Sequence, residues 1–261
     1  MKRSIAVVMD PIERINTAKD TSFALMLEAQ RRGYDLFYIE PGSLSVQNAR
    51  AYGRLAALKV KDVKNQYFEL GEWRNTALAS VDAVLMRKDP PVDDQFIHDT
   101  QILSLAENEG VLVVNRAQGL RDMNEKLTTL LFPQCCPETL VSRSMAELKE
   151  FIRRHGDTVV KPLNGMGGKS IFRIRHGDGN ANVILETLTD SGSLTMAQKF
   201  IPEIAQGDKR ILLVDGEPVP YALARIPQGD EFRGNLAAGG RGQGQPLSER
   251  DVWIARQVGP W

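Results

Sequence analysis

The 261-residue sequence predicts an α/β fold in two parts, an open α/β layer over residues 1 to about 120 followed by a mostly antiparallel α+β body. Three observations carry this. Twice in the first 120 residues a short apolar run, a helical period and a second short run follow one another, the order of a parallel βαβ unit. After Pro137 a strand-like run, a glycine-rich turn and an alternating run succeed each other with no helix between them. Asp215-Gly216 then separates two strand-like runs, the signal of a two-residue hairpin turn.

Ile5 to Met9 is apolar throughout, as in a strand buried on both faces, and it ends at Asp10-Pro11. From Ser22 the spacing turns helical, with Phe23, Met26, Leu27 and Gln30 on one side, and stops before Gly33. Asp35 to Ile39 completes the first unit. The second is Asp82 to Met86, a helix over Asp94 to Asn108 closed by Gly110, and Val111 to Val114. Between the two units, Pro41 to Asn75 is polar and poorly periodic, and no element is predicted there. In the second half Ser144 to Glu147 reads as a capping box opening a helix that ends at His155-Gly156, followed by a strand over Thr158 to Lys161. Phe172 to Arg175 alternates as a strand does. Arg210 to Val214 and Pro218 to Ala224 are the arms of the hairpin.

The chain carries 33 Lys+Arg and 33 Asp+Glu, so its formal net charge is zero, which argues against a strongly basic nucleic-acid binder. Hydrophobic residues make up 42% and charged residues 25%, the balance of a globular rather than a disordered chain. The adjacent Cys135 and Cys136 suit neither a disulfide framework nor a metal knuckle and read as two small apolar residues in a reducing compartment. The run after Met1-Lys2-Arg3 is too short for a signal core, and no stretch reaches the roughly 18 apolar residues of a membrane span. The expectation is a cytoplasmic protein.

Lys161 to Ser170, KPLNGMGGKS, has three glycines within four residues, which lets backbone N–H groups face an anion. A Walker loop is excluded because Leu163 stands where its first glycine belongs and a strand, not a helix, follows. A loop covering a nucleotide and a plain glycine-rich hairpin both fit. Arg225 to Gly244 holds six glycines and arginines 225, 233 and 241, so it is either a mobile segment that closes over an anionic intermediate or a disordered solubilising loop. Asp10-Pro11 and Arg87 to Pro91 both follow predicted parallel strands, where ligands of open sheets bind; ordinary strand punctuation explains them equally well. Lys126 is either a ligand contact or part of a solvated helix face. Histidines 98, 155 and 176 lack metal-ligand spacing, and His155 at a helix end reads as a dipole partner. No G-x-G-x-x-G follows the first strand and no nucleophile triad is legible, which leaves nucleotide-driven chemistry on an acid.

The stretches VMDPIERIN, KDTSFALMLEAQRRGY, VLMRKDPP, LRDMNEKL, VVKPLNGMGGKSIFRI, GDKRILLVDGEPVPYALARIPQG and RGNLAAGGRG together resemble the bacterial glutathione synthetases of the ATP-grasp superfamily, in the family's order and over nearly the whole chain. The resemblance implies a pre-ATP-grasp α/β domain over 1–122 and an ATP-grasp domain over 123–261, with a lid over about 123–197 and an incomplete central body. It implies phosphate contacts from Lys126 and Lys161, a lid loop at Gly165, Met166, Gly167 and Gly168, and a linker beside the adenine at Gln198, Phe200 and Ile201. Asp208 falls where the ribose is reached. Arg210 and Arg225 match arginines near the transferred phosphoryl and acyl groups, and Ile226 to Arg241, with Arg233, Asn235, Gly240 and Arg241, matches the closing loop. Asp10 marks the N-terminal crevice on the substrate side.

The family's reaction is attack of the cysteinyl carboxylate of γ-glutamylcysteine on the γ-phosphate of ATP, then attack of the glycine amine on the acyl phosphate. Phosphoryl transfer needs positioning and charge neutralisation, which accounts for the lysines, arginines and glycine N–H donors. The resemblance further implies Mg²⁺, small-molecule substrates, a homo-oligomer, and neither nucleic acid nor membrane as partner. Family members continue beyond the segment matching Ser248 to Gly259 into a part that supplies the metal ligands, so those ligands are expected to be missing here. Two alternatives stay open: a nucleotide- or peptide-binding remnant without activity, and a related ATP-grasp ligase acting on another acid.

Overall fold

The computed structural model describes residues 2–229 and 231–261 and divides the chain into two compact units, Met1–Met123 and Asn124–Trp261. In the first unit β1 (Ser4–Val8), α1 (Thr21–Arg31) and β2 (Asp35–Ile39) form the expected parallel unit. They are followed by β3 (Ser45–Gln47), β4 (Arg50–Val60), β5 (Phe68–Ala77), β6 (Ala83–Met86), α2 (Asp94–Asn108), β7 (Leu112–Val114) and α3 (Ala117–Asp122). The sheet runs β3-β4-β2-β1-β6-β7, with β5 also paired to β4. β1 lies between β2 and β6, parallel to both, and its residues alternate between two cores. Ala6 and Val8 join Phe96 and Leu103 of α2, whereas Val7 and Met9 join Phe23 and Met26 of α1. That two-sided burial is why β1 reads as a continuous apolar run. Asp20 caps α1 by accepting from the Phe23 N–H at 2.7 Å, and the Gln30 amide exchanges hydrogen bonds with the Val60 backbone at 2.7 and 2.9 Å.

Residues 41–75, for which the sequence predicts nothing, hold β3, β4 and most of β5. β4 buries Ala51, Gly53 and Leu55, then Ala56, Leu58 and Val60, so burial passes from odd to even positions; the irregular pairing nearby puts its extra residue on β5, where Ala56 opposite Trp73 is followed by Leu58 opposite Leu70. The first half faces the α2 core and the second half the α1 core. The two-residue period itself is unbroken: odd positions face one core and even positions the other, and the buried set passes from one to the other along the strand, which erases the one-faced pattern that would have announced it.

The second unit contains β8 (Thr139–Ser142), α4 (Met145–His155), β9 (Asp157–Pro162), β10 (Phe172–Arg175), α5 (Ala181–Thr189), β11 (Thr195–Lys199), β12 (Asp208–Val214), β13 (Glu217–Ile226), β14 (Arg241–Pro246) and α6 (Glu249–Val258). An antiparallel sheet, β10-β9-β11-β8, packs Val160, Ile174 and Ala197 against Leu148, Ile152, Leu185 and Leu188 of α4 and α5. A second antiparallel sheet, β12-β13-β14, turns at Asp215-Gly216, where both residues have positive φ (51° and 81°), as the hairpin signal requires.

Three expectations for this unit are corrected. Ser144 caps α4 through the Glu147 N–H, but the box is not closed, because the Glu147 carboxylate accepts from the Ser142 hydroxyl and the Ser144 N–H is taken by the same hydroxyl at 2.9 Å. The segment from Arg225 to Gly244 is not a structureless loop: β13 continues to Ile226, a 3₁₀ turn spans Leu236–Ala238 and β14 begins at Arg241. Asp230, within that segment, lies outside the described residues. Cys135 and Cys136 are unpaired thiols but only half-buried, and the Cys136 Sγ donates to the Thr129 carbonyl. Among the described residues no helix is long and apolar enough to cross a membrane.

Candidate functional site

The face of the first antiparallel sheet turned away from α4 and α5 carries Thr139, Lys161 and Gln198 beside Val159 and Met196. Gln198 on β11 stands directly opposite Thr139 on β8 and Val159 on β9, and Lys161 follows two residues after Val159 on that face. The Lys161 Nζ donates to the Gln198 Oε1 at 2.8 Å, and the Gln198 Nε2 donates to the Thr139 Oγ1 at 3.0 Å. Burial and the nearby Lys126 ammonium push the Lys161 amine below the usual lysine range. Two lysines held close despite their repulsion make a place that favours an anion.

The glycine-rich turn connects β9 to β10. Gly167 and Gly168 have φ of 66° and 83°, and a Cβ on Gly168 would sit 2.8 Å from the Asn235 Oδ1. Lys126 opens the 3₁₀ segment Leu127–Leu131, and its largely buried amine donates to the Leu163 carbonyl at 2.9 Å and the Gly165 carbonyl at 2.7 Å, besides pairing with Glu125. It is therefore no solvated helix face. Met166, between the glycines, is exposed.

The second sheet brings Asp208 opposite Arg225 in register, and they form a two-pronged ion pair. Gly234 packs against the Arg225 carbonyl and lies so close to Asp208 that a Cβ would stand 2.9 Å from its Oδ1. Arg233 donates to the Gly168 carbonyl at 2.7 Å and pairs with Glu231, whose carboxyl is held down to about 2 chiefly by that hydrogen bond. Residues 231–235 thus reach the glycine-rich turn at both Arg233 and Asn235. Gly240 donates its N–H to the Asn235 carbonyl at 3.1 Å. Arg210 is exposed on β12, on the side that carries Asp208, and Arg241 is exposed with Gln243 as its partner.

Between these pieces is a cavity of about 200 Å³. Of the residues singled out in the sequence, Lys161, Gln198, Phe200, Ile201, Asp208, Arg233 and Asn235 line it; Asp10, Lys126, Gly165, Met166, Gly167, Gly168, Arg210, Arg225, Gly240 and Arg241 do not. Pro137, Val159, Ile171, Lys199, Ile204, Phe232 and Gly234 complete the wall. One further neighbour went unread: the Arg173 guanidinium lies 3.6 Å from the centre of the Phe200 ring and is held there by Asp157, its Nε 2.8 Å from the carboxylate. Apolar walls with the cationic Lys161 and Arg233 and one carboxylate, Asp208, suit a flat ring carrying an anionic tail. Among the described residues no group of three or more His, Cys, Asp or Glu is placed to hold a metal ion.

In the first unit Asp10 joins the two turns that follow β1 and β6. Its carboxylate receives the Lys88 Nζ and the Asp89 N–H, each at 2.9 Å. These contacts lie beyond the carboxyl ends of parallel strands, where ligands of open α/β sheets bind.

Residues 3–121 match the model of the prokaryotic glutathione synthetase N-terminal domain, and residues 125–261 match that of the prokaryotic glutathione synthetase ATP-grasp domain. The chain is 63% identical over 261 residues to the glutathione synthetase of Xanthomonas axonopodis pv. citri, covering all of this chain and 83% of that protein. It is 57% identical over 257 residues to that of Salmonella typhimurium, covering 98% of this chain and 82% of the relative. Among solved structures it resembles the D-cycloserine synthetase DcsG, with a TM-score of 0.60 at 16% identity over 98% of this chain and 80% of that one. D-alanyl-alanine synthetase A of Vibrio cholerae superposes with a TM-score of 0.55 at 9% identity, over 99% and 79% of the two chains. These two likenesses concern the fold.

Proposed function

This chain belongs to the prokaryotic glutathione synthetase family, and we propose that it joins γ-glutamylcysteine to glycine at the expense of ATP, through an acyl phosphate, in the last step of glutathione biosynthesis. The observation that carries this is the convergence of Lys161, Gln198, Asp208 and Arg233 on one cavity beside a glycine turn. The reading assigns residues 1–122 to a pre-ATP-grasp domain and 123–261 to the ATP-grasp domain, with its lid over about 123–197.

In this assignment Phe200 and Ile201 border the adenine, Asp208 the ribose, and Lys161 and Lys126 the phosphates, with N–H groups of Gly165 to Gly168 as further donors. Arg225 and Arg210 neutralise charge on the transferred phosphoryl group. The segment 226–241, through Arg233, Asn235, Gly240 and Arg241, keeps water from the acyl phosphate, which hydrolyses readily. Asp10 serves the acid substrate. Mg²⁺ is the ion expected with ATP in this chemistry, where it would help neutralise the phosphate charge. The same reading makes the protein cytoplasmic and a homo-oligomer acting on small molecules; its two unpaired thiols agree with a reducing compartment.

The test is incubation of the chain with ATP, Mg²⁺, γ-glutamylcysteine and glycine while ADP and the tripeptide are followed. Stoichiometric appearance of both supports the reading, and no ADP above background refutes it. ADP with a different acid and none with γ-glutamylcysteine would assign another ligase.

A further inference from the structure

We propose that Thr139 is a positioning residue for nucleotide binding, acting through Gln198 on the Lys161 ammonium. The inference rests on the functional reading above, which places Lys161 against the phosphates. Three strands present these side chains on one face, and each hydrogen bond has a fixed direction. Lys161 donates to the Gln198 Oε1 at 2.8 Å, the Gln198 Nε2 donates to the Thr139 Oγ1 at 3.0 Å, and the Thr139 hydroxyl donates to the Pro137 carbonyl at 2.8 Å.

The Thr139 hydroxyl proton is committed to Pro137, so its oxygen can only accept from Gln198. The Gln198 amide is thereby oriented with its oxygen toward Lys161. Turned over, it would set an NH₂ group against the ammonium. Lys161, paying for burial and for its proximity to Lys126, depends on that oxygen to stay in place. Thr139 does not line the cavity, so its effect on the ligand must pass through Gln198.

The experiment is calorimetric titration of the full chain with ATP and, separately, with adenosine. Thr139→Val, which keeps shape and removes the hydroxyl, is expected to weaken ATP binding about three- to tenfold, the effect of one hydrogen bond. Adenosine, which has no phosphate, should bind unchanged, and Thr139→Ser should restore ATP affinity to within about twofold. In a Gln198→Leu background Thr139→Val should have no further effect. Unchanged ATP affinity, an equal loss for adenosine, or additivity with Gln198→Leu would overturn the proposal. Thr139→Ala gives the same comparison if the valine variant does not fold, as judged by its thermal transition. Failure of the unsubstituted chain to bind ATP would instead refute the functional reading on which the relay rests.

Discussion

The carboxylate of Asp208 receives the guanidinium of Arg225 in two parallel hydrogen bonds, Nε to Oδ1 at 2.8 Å and Nη2 to Oδ2 at 2.6 Å. Both side chains are largely shielded, and Asp208 borders the cavity while Arg225 stands behind it. Arg225→Ala should therefore do more than slow phosphoryl transfer. It uncovers a carboxylate beside the bound anion, and ATP affinity should fall by about 1–2 kcal/mol. Arg225→Ala/Asp208→Ala should regain part of that loss. Calorimetry on the three variants decides whether the pair acts as a unit.

Lys161→Met should weaken ATP binding roughly ten- to a hundredfold, the range for losing a charge-assisted contact. It should also raise Tm. The folded state depresses the Lys161 amine below its unfolded value, so the protonated side chain destabilises the fold wherever it stays charged in both states. That penalty is complete below the folded value and fades as pH rises from there toward the ordinary lysine range. The Tm advantage of Lys161→Met should accordingly be largest near neutrality and shrink in alkali, which a series of thermal melts measures.

Gly168→Ala places a Cβ 2.8 Å from the Asn235 Oδ1 at a φ of 83°. Strain at such a position costs about 1–2 kcal/mol, and the contact between the glycine turn and residues 233–235 should open. Urea unfolding reports the first effect; faster proteolysis within 226–241 reports the second.

Glu231 binds Arg233 and accepts from the Phe232 and Arg233 N–H groups at 2.9 and 3.1 Å. Its carboxyl, held near about 2, contributes order above the ordinary carboxylate value and loses it only as pH falls through that depressed value. At a pH of roughly 3, between the two values, the unsubstituted chain should resist pepsin in the 226–241 segment. Glu231→Gln should be cut there readily at the same pH, and equal cleavage of the two proteins would refute the ordering role.

The parallel units and the hairpin were legible because each depends on short-range chemistry: Gly33 and Gly110 end helices, and Asp215-Gly216 turns a strand, whereas the caps Asp20 and Asp93 were not read. Lys161, Asp208 and Arg233 were singled out through the family resemblance and converge on one cavity. Thr139, Ile204 and Arg173 were not, because each matters through a neighbour on another strand or turn, which no local pattern records. Arg210 and Arg241 are exposed and do not line that cavity, although Arg210 shares the Asp208 side of β12; how far along a strand a side chain stands from a site is set by the folded register, which the local sequence does not carry.

The passage of β4 from one core to the other has a consequence for how this domain can diverge. Removing Ala57 would not merely shorten the strand: it would turn half of it inside out, exposing Leu58 and Val60 and driving Lys59 toward the helix beneath. Descendants of this architecture can exchange residues along that stretch, but they cannot lose or gain a single one without rebuilding both layers at once.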